Sequence, residues 1–408
     1  MPSDTPKSVK KKLIHMTASL CAAGIMSGPV AVAASPHMPD TNARLSQSIT
    51  SPHEVGYETG TNRPIPALRA ESQSIDELLN GTKILVLDAR TMHESYGKKG
   101  PSFDSVKKEF REAAQTQGYS AQQTEQIIAR IDSSKGFHES FFNSSMKGGF
   151  YAMLVPGQGE KTGIFLGTDV DNPQAGLTNF KGYLSGITGI SGIGENIPDG
   201  VARKLQRFFY NHEIAHLGDP LLEKQAQAFA DKTPLQEAAP MLISLEKTAD
   251  TRSAQTEVDT FRSLETVQVA RDVRFVGMLH APAFQYCTMY ELDKIAAEAE
   301  GRSWQGFSQD RALVAYNGIV EKLPNIMNQH TEFKGRKPGD GFAVYPLVGG
   351  LEKGLEHGIF KGDEVKVAGD TVSAFYRLNN AYGESQPERK VSSDTARAHQ
   401  QRPLQHTK

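Results

Sequence analysis

The pattern of apolar residues changes at Pro198, and this change restricts the chain to one class of fold. Before Pro198, short apolar runs predict buried strands at 83–88, 150–155 and 162–166. The helical periodicities predict helices near 104–117, 120–133, 198–217, 221–232, 234–268, 284–299, 308–322 and 370–381. A few strands followed by many helices predict an α+β fold, with a small N-terminal lobe that holds the strands and a mostly helical C-terminal lobe.

Residues 1–33 have the features of a secretory signal peptide. A basic start at 7–12 precedes an apolar stretch at 13–32, and the small residues at 31–34 suit cleavage by signal peptidase. A membrane anchor is the alternative, but glycines and a proline at 24–29 interrupt the apolar stretch. We therefore expect a periplasmic or secreted protein with no stable membrane span after signal cleavage.

The rest of the chain reads as one unit with two polar ends. Residues 34–75 are rich in Ser, Thr, Pro and Asn and lack an apolar period, which predicts a flexible lead-in. Residues 384–408 are similar and are expected to be a disordered tail. Because no long linker interrupts 76–383, we interpret this region as a single unit of two lobes.

Charge and cysteine content exclude two classes of protein. The 45 basic and 47 acidic residues give a formal charge of −2, which provides no basic surface for a nucleic-acid partner. The chain has two cysteines, and loss of Cys21 with the signal would leave Cys287 alone. A disulfide framework is therefore excluded, and stability must come from packing and from any bound metal.

The segment His212-Glu213-Ile214-Ala215-His216 has the pattern H-E-x-x-H within a predicted helix. Because four residues make about one helical turn, His212 and His216 project from one face and can reach a single zinc ion. Glu213 is placed to accept a proton from a water molecule at that ion. Two histidines that share this spacing by chance are the alternative, so a third ligand is the test.

A third ligand is available in Glu246-Lys247-Thr248-Ala249-Asp250, on the following long predicted helix. Thr233 and Pro234 are expected to begin this helix, and Pro240 is expected to kink it. Glu246 can bind the metal, while Asp250 on the same face can accept the outer N–H of a liganding histidine. An exposed acidic pair is the alternative interpretation of these two carboxylates.

H-E-x-x-H followed by E-x-x-x-D on the next major helix resembles the gluzincin metallopeptidases. The resemblance implies a zincin-like fold with an active-site helix, a cleft near 212–250 and a Zn²⁺ cofactor. It implies that His212, His216 and Glu246 bind the metal, that Asp250 supports a histidine and that Glu213 is the general base. Peptides or proteins would be the substrates. The metzincin pattern fails because Asp219 and Leu222 replace the Gly and His that it requires.

Such a mechanism also needs a donor for the developing oxyanion and a surface for the substrate. Tyr286, Tyr290 and His280 lie downstream of the Glu246 helix, where such donors are often found, and Tyr290 and His280 are our candidates. The strand predicted at 150–155 can line the cleft as an edge strand and pair with an extended peptide.

The sequence contains two other patterns and leaves two other functions open. The glycines at 186–194 lack a P-loop context and are interpreted as a mobile loop over the cleft. Asp169 begins a calcium-loop pattern, but Phe180 stands where the closing Glu is required. The alternative functions are a helical metal-dependent phosphohydrolase and a non-catalytic binding or structural protein with an incidental H-E-x-x-H.

Overall fold

The predicted strand segments form one sheet in the computed structural model, which describes residues 78–94, 103–134, 149–155, 161–170, 172–231, 233–304, 306–329 and 344–383. The strands are β1 (Lys83–Asp88), β2 (Tyr151–Leu154) and β3 (Thr162–Gly167). β3 lies between the other two, parallel to β1 and antiparallel to β2. The predicted signal peptide (1–33), lead-in (34–75) and tail (384–408) lie outside the described residues.

Helices account for most of the described residues, so the α+β class is confirmed. Three of the described helices lie between β1 and β2 in the sequence: α1 (Ala89–Glu94), α2 (Phe103–Thr116) and α3 (Ala121–Ser134). Those that follow the sheet are α4 (Pro173–Thr188), α5 (Ile193–Asn196), α6 (Asp199–Leu217), α7 (Leu221–Ala230), α8 (Leu235–Asp259), α9 (Leu264–His280), α10 (Met289–Ala299), α11 (Gln309–Asn328), α12 (Tyr345–Glu356) and α13 (Asp363–Tyr382). A short 3₁₀ turn at Phe284–Tyr286 joins α9 to α10. None of the described helices combines the length and the apolar character needed to span a membrane.

The sheet is covered on both faces, as the alternation of its side chains requires. Leu85 and Leu87 of β1 pack with residues of α2 and α3 on one face. On the other face, Val86 and Phe165 pack with residues of α6, α7 and α8. Since both faces are dry, the strands read as continuous apolar runs, which is why they were visible in the sequence.

Helix α6 joins the sheet to the helical lobe. Its last turns, with Ile214, Ala215 and Leu217, are buried against the sheet. Its earlier turns, with residues such as Leu205 and Phe208, enter the large core of the helical lobe. A helix buried by two different cores has little freedom to shift, so the side chains that it carries are held in place.

The single helix predicted at 234–268 is wrong, because the structure has two helices there. α8 ends at Asp259 and α9 begins at Leu264, with Arg262 at a φ of +53° between them. The Ser263 hydroxyl is hydrogen-bonded to that of Thr266, in the first turn of α9. The interpretation missed this break because the chain turns without a glycine or a proline. At the other end of α8, Pro234 rather than Thr233 is the capping residue.

The interpretation of 186–194 as a loop over the cleft is also corrected. Gly186 lies inside α4, and Gly189 ends that helix with a φ of +62°. Gly194 lies in α5, where a Cβ atom would come within 2.2 Å of the Lys181 carbonyl oxygen. This segment is therefore a tightly packed junction between two helices.

The fold makes a testable demand on Gly218, which ends α6. A Cβ atom there would lie 1.8 Å from the Leu78 carbonyl oxygen, so close approach of the backbone excludes any side chain. We expect Gly218→Ala to lower the free energy of unfolding by about 1–3 kcal/mol in urea denaturation. Gly182→Ala is the control, because Gly182 is exposed on α4 with no atom within 4 Å of the added carbon. It should raise stability by about 0.5–1 kcal/mol; equal effects of the two changes would contradict the steric argument.

Candidate metal centre

The alignment of α6 with α8 brings the two predicted ligand segments together. Arg207 of α6 donates two hydrogen bonds to the buried Glu257 of α8, at 2.9 and 2.7 Å. Nearer the predicted ligands, the Ser253 hydroxyl donates to the Phe208 carbonyl oxygen at 2.6 Å. Because the helices run in opposite directions, these contacts fix the position of Glu246 opposite His212.

His212, His216 and Glu246 form a buried group that can hold a metal ion. Their Nε2, Nε2 and Oε2 atoms are separated by 3.1 Å (His212 to His216), 3.1 Å (His212 to Glu246) and 3.7 Å (His216 to Glu246). Ligands bound at about 2.0–2.1 Å around a tetrahedral ion lie about 3.4 Å apart, which matches this triangle.

One orphaned polar atom supports a cation between these side chains. Glu246 Oε2 is buried and, within the described part of the chain, accepts no well-aligned hydrogen bond. Because an unpaired buried carboxylate oxygen is costly, the arrangement fits an ion that Glu246 would bind directly.

Asp250 fixes the orientation and the tautomer of His212. Its Oδ1 atom lies 2.7 Å from His212 Nδ1, and its carboxylate also accepts bonds from Arg274 and Thr288. Burial opposes ionisation, yet Arg274 and His212 hold the pKa of Asp250 far below its usual range. An ionised Asp250 only accepts hydrogen bonds, so His212 carries its proton on Nδ1 and directs Nε2 at the cluster.

The cluster favours positive charge although it is buried. Burial lowers the pKa of His212, but Asp250 and Glu246 outweigh this effect and raise the pKa to about 10. Burial raises the pKa of Glu246, but His216 and His212 lower it to about 2. A positive charge is therefore favoured at this point, whether a proton or a cation supplies it.

Glu213 lies beside the cluster and is partly exposed. Burial raises the pKa of its carboxyl group, although His216 and His212 act in the opposite direction. A carboxylate with a raised pKa is a better proton acceptor near neutral pH than an ordinary surface glutamate.

Three tyrosines lie within electrostatic reach of Glu213 and Glu246. The charge of Glu246, followed by burial, raises the pKa of Tyr286 well above its usual range. Burial, reinforced by both carboxylates, raises the pKa of Tyr183 to about 12 and also raises that of Tyr151. All three hydroxyl groups therefore stay protonated at neutral pH and can donate hydrogen bonds.

These tyrosines come from different parts of the chain. Tyr183 lies on α4 and Tyr151 on β2, the strand at one edge of the described sheet. Tyr286 lies in the 3₁₀ turn before α10. Tyr286 and the strand that carries Tyr151 could be related to the site from the sequence. Tyr183 could not, because α4 was not predicted as a helix.

Tyr290 and His280, the predicted donors, are not brought to the cluster. The Tyr290 hydroxyl donates to Asp370 of α13 at 2.5 Å, and its ring packs on Phe275 and Phe307. His280 ends α9 against Gly189, where an added Cβ atom would approach His280 Nδ1 to 2.6 Å. The helix predicted at 284–299 begins only at Met289, so Tyr286, in the preceding 3₁₀ turn, and Tyr290, on the buried face of α10, do not share a helix face.

Arg274 is a further site residue that the sequence analysis did not identify. It lies on α9, beyond residue 268 where the predicted helix ended, and the packing of α9 against α8 brings it to Asp250. Asp169, which begins the calcium-loop pattern, has protein partners instead. Its carboxylate accepts a hydrogen bond from Asn179 and pairs with Arg90 at 2.8 Å.

The chain matches no protein-family model, no curated protein and no solved structure. What the protein does must therefore be inferred from the geometry and chemistry of the site.

The metal centre predicts a specific pattern of metal loss. We expect His216→Ala and Glu246→Gln each to weaken Zn²⁺ binding on the order of 100-fold or more, because each removes one of three ligands. Affinity would be measured by competition with a chromogenic chelator. His357→Ala, at an exposed position after α12, is the matched control and should bind Zn²⁺ like the wild type. Unchanged affinity in either cluster variant would disprove the assignment of that ligand.

Proposed function

We propose that the protein is an exported zinc-dependent metallopeptidase of gluzincin type with a zincin-like fold. The observation that carries this proposal is the convergence of His212 Nε2, His216 Nε2 and Glu246 Oε2, with Glu213 beside them. Two imidazoles and one carboxylate are a ligand set that suits Zn²⁺ and leaves a fourth position open. When bound, zinc would polarise the scissile carbonyl and lower the pKa of a water molecule.

Glu213 is the proposed general base. It accepts a proton from the attacking water and donates it to the amine that leaves, so that the carboxylate is restored after each turnover. Its position next to His212 in the sequence, and its partial exposure at the cluster, allow contact with both water and substrate. An incidental histidine pair would give this carboxylate no function.

Tyr286 is the proposed donor to the oxygen of the tetrahedral intermediate. It is the tyrosine downstream of the Glu246 helix on whose pKa Glu246 has the largest influence, and the residue is 36% exposed, so a substrate can reach it. Tyr183 is close enough to raise the pKa of Tyr286, so a second phenol borders the same space. Donors fixed beside the reacting carbonyl stabilise developing charge without having to reorganise.

Strand β2 is the proposed binding surface for an extended peptide. Among the described strands it pairs only with β3, so its other edge can offer backbone donors and acceptors. Tyr151 at its start responds to the charges of Glu213 and Glu246, which relates this edge to the cluster. Peptides or proteins in the periplasm or outside the cell are the proposed substrates, with no nucleic-acid partner.

The decisive test of the proposed chemistry is Glu213→Gln. The amide keeps the size of the side chain but cannot accept a proton, so cleavage of a peptide library should fall at least about 100-fold. The Zn²⁺ content should stay at one ion per chain, as measured by elemental analysis. Glu195→Gln, on α5 outside the cluster, is the matched control and should cleave normally. Peptide cleavage that survives in Glu213→Gln would disprove the assignment.

A second pair of variants separates the two downstream tyrosines. We expect Tyr286→Phe to lower kcat about 100-fold with KM and Zn²⁺ affinity little changed, since it removes one donor to the oxyanion. Tyr290→Phe should keep kcat, because its hydroxyl is bonded to Asp370 in the helical core. It should instead lower the thermal midpoint. The reverse result in steady-state kinetics would restore Tyr290 as the donor.

A further inference from the structure

Asp250 accepts more hydrogen bonds than it needs in order to orient one histidine. Oδ1 accepts from His212 Nδ1 at 2.7 Å and from Arg274 Nη2 at 2.8 Å. Oδ2 accepts from Arg274 Nε at 3.0 Å and from the Thr288 hydroxyl. Asp250 is fully buried, so these four bonds use the acceptor capacity of its carboxylate and leave it one orientation.

Arg274 has a second set of contacts, with aromatic rings. Its guanidinium carbon lies 5.0 Å from the centre of the Tyr286 ring and 5.3 Å from that of Phe209 on α6. The side chain of Arg274 is only 11% exposed, so water screens these contacts weakly. One buried cation therefore touches both the partner of His212 and the ring of Tyr286.

We propose that Arg274 is a positioning residue that aligns two parts of the centre at once: His212, through Asp250, and the Tyr286 hydroxyl, through the ring contact. This inference rests on the proposed function for Tyr286 but not for His212. The planar guanidinium bonds both oxygens of Asp250 while its face remains free for the ring. A lysine ammonium keeps the charge but cannot make both contacts in this geometry.

Thr288 provides the matched comparison. Its hydroxyl donates to Asp250 and also lies 3.3 Å from the backbone carbonyl oxygen of Tyr286. The Thr288 backbone N–H donates to the same oxygen at 2.7 Å, and a valine would keep this bond, which is the main hold of Thr288 on Tyr286. Thr288→Val therefore weakens the support of Asp250 and leaves the contact between Arg274 and Tyr286 in place. Arg274→Lys disturbs both.

The first measurement is metal affinity, which does not depend on turnover. We expect Arg274→Lys to weaken Zn²⁺ binding about 10- to 100-fold in chelator competition, and Thr288→Val to weaken it less. The visible spectrum of the Co²⁺-substituted protein should change in Arg274→Lys, because His212 is less well oriented. Wild-type affinity together with a wild-type Co²⁺ spectrum in folded Arg274→Lys would overturn the inference. If this variant does not fold, Arg274→Gln, which keeps one planar donor, replaces it with the same expectations.

The second measurement tests the link to Tyr286 at saturating Zn²⁺. Tyr286→Phe should lower kcat much less in the Arg274→Lys background than in the wild type, since the hydroxyl is already misplaced. In the Thr288→Val background its effect should be as large as in the wild type. Additive effects in both backgrounds would overturn the Tyr286 part of the inference. A wild-type protein that binds Zn²⁺ but cleaves no peptide would instead disprove the proposed function, while the affinity series would still decide whether Arg274 positions His212.

Discussion

The candidate metal centre depends on the hydrogen bonds that the buried carboxylate of Asp250 accepts. It lies on α8, yet its partners are His212 on α6, Arg274 on α9 and Thr288 before α10. A charge with no exposure is tolerated only where donors surround it, so these elements must meet at this point. The same interaction gives His212 its tautomer, and the geometry of the ligand triangle follows from that.

The helices and the sheet contribute differently to the site. Helices α6 and α8 carry His212, His216 and Glu246, are joined by the Arg207–Glu257 pair, and pack against the sheet beside these three residues. The small sheet supplies a boundary, since α6 packs against one of its faces and β2 places Tyr151 near the carboxylates. His212, His216 and Glu246 are thus carried by rigid elements, as a preorganised centre requires.

Much of the fold was predictable from the sequence, and the errors in the prediction have physical causes. The three strands were found because both sheet faces are buried, which leaves uninterrupted apolar runs. The break at 260–263 was missed because Arg262 adopts a positive φ without the glycine that usually marks one. Most of α9, including Arg274, lies beyond residue 268, where the predicted helix ended, so the contact of Arg274 with Asp250 was not predicted. Tyr290 was preferred over Tyr286 because the sequence does not show that the helix begins at Met289, between the two tyrosines, or that Tyr290 is buried in the core.

The sequence by itself determined the local part of the centre. Four-residue spacing in a helix places His212 and His216 on one face, and Glu213 beside them, whatever the helix packs against. Only the tertiary structure decided that Glu246 Oε2 lies 3.1 Å from His212 Nε2, and that Arg274 and Tyr286 complete the surroundings. The physical reason is that helical geometry is set by backbone hydrogen bonds between near neighbours. Contacts between residues 30 or more positions apart depend on how whole helices pack.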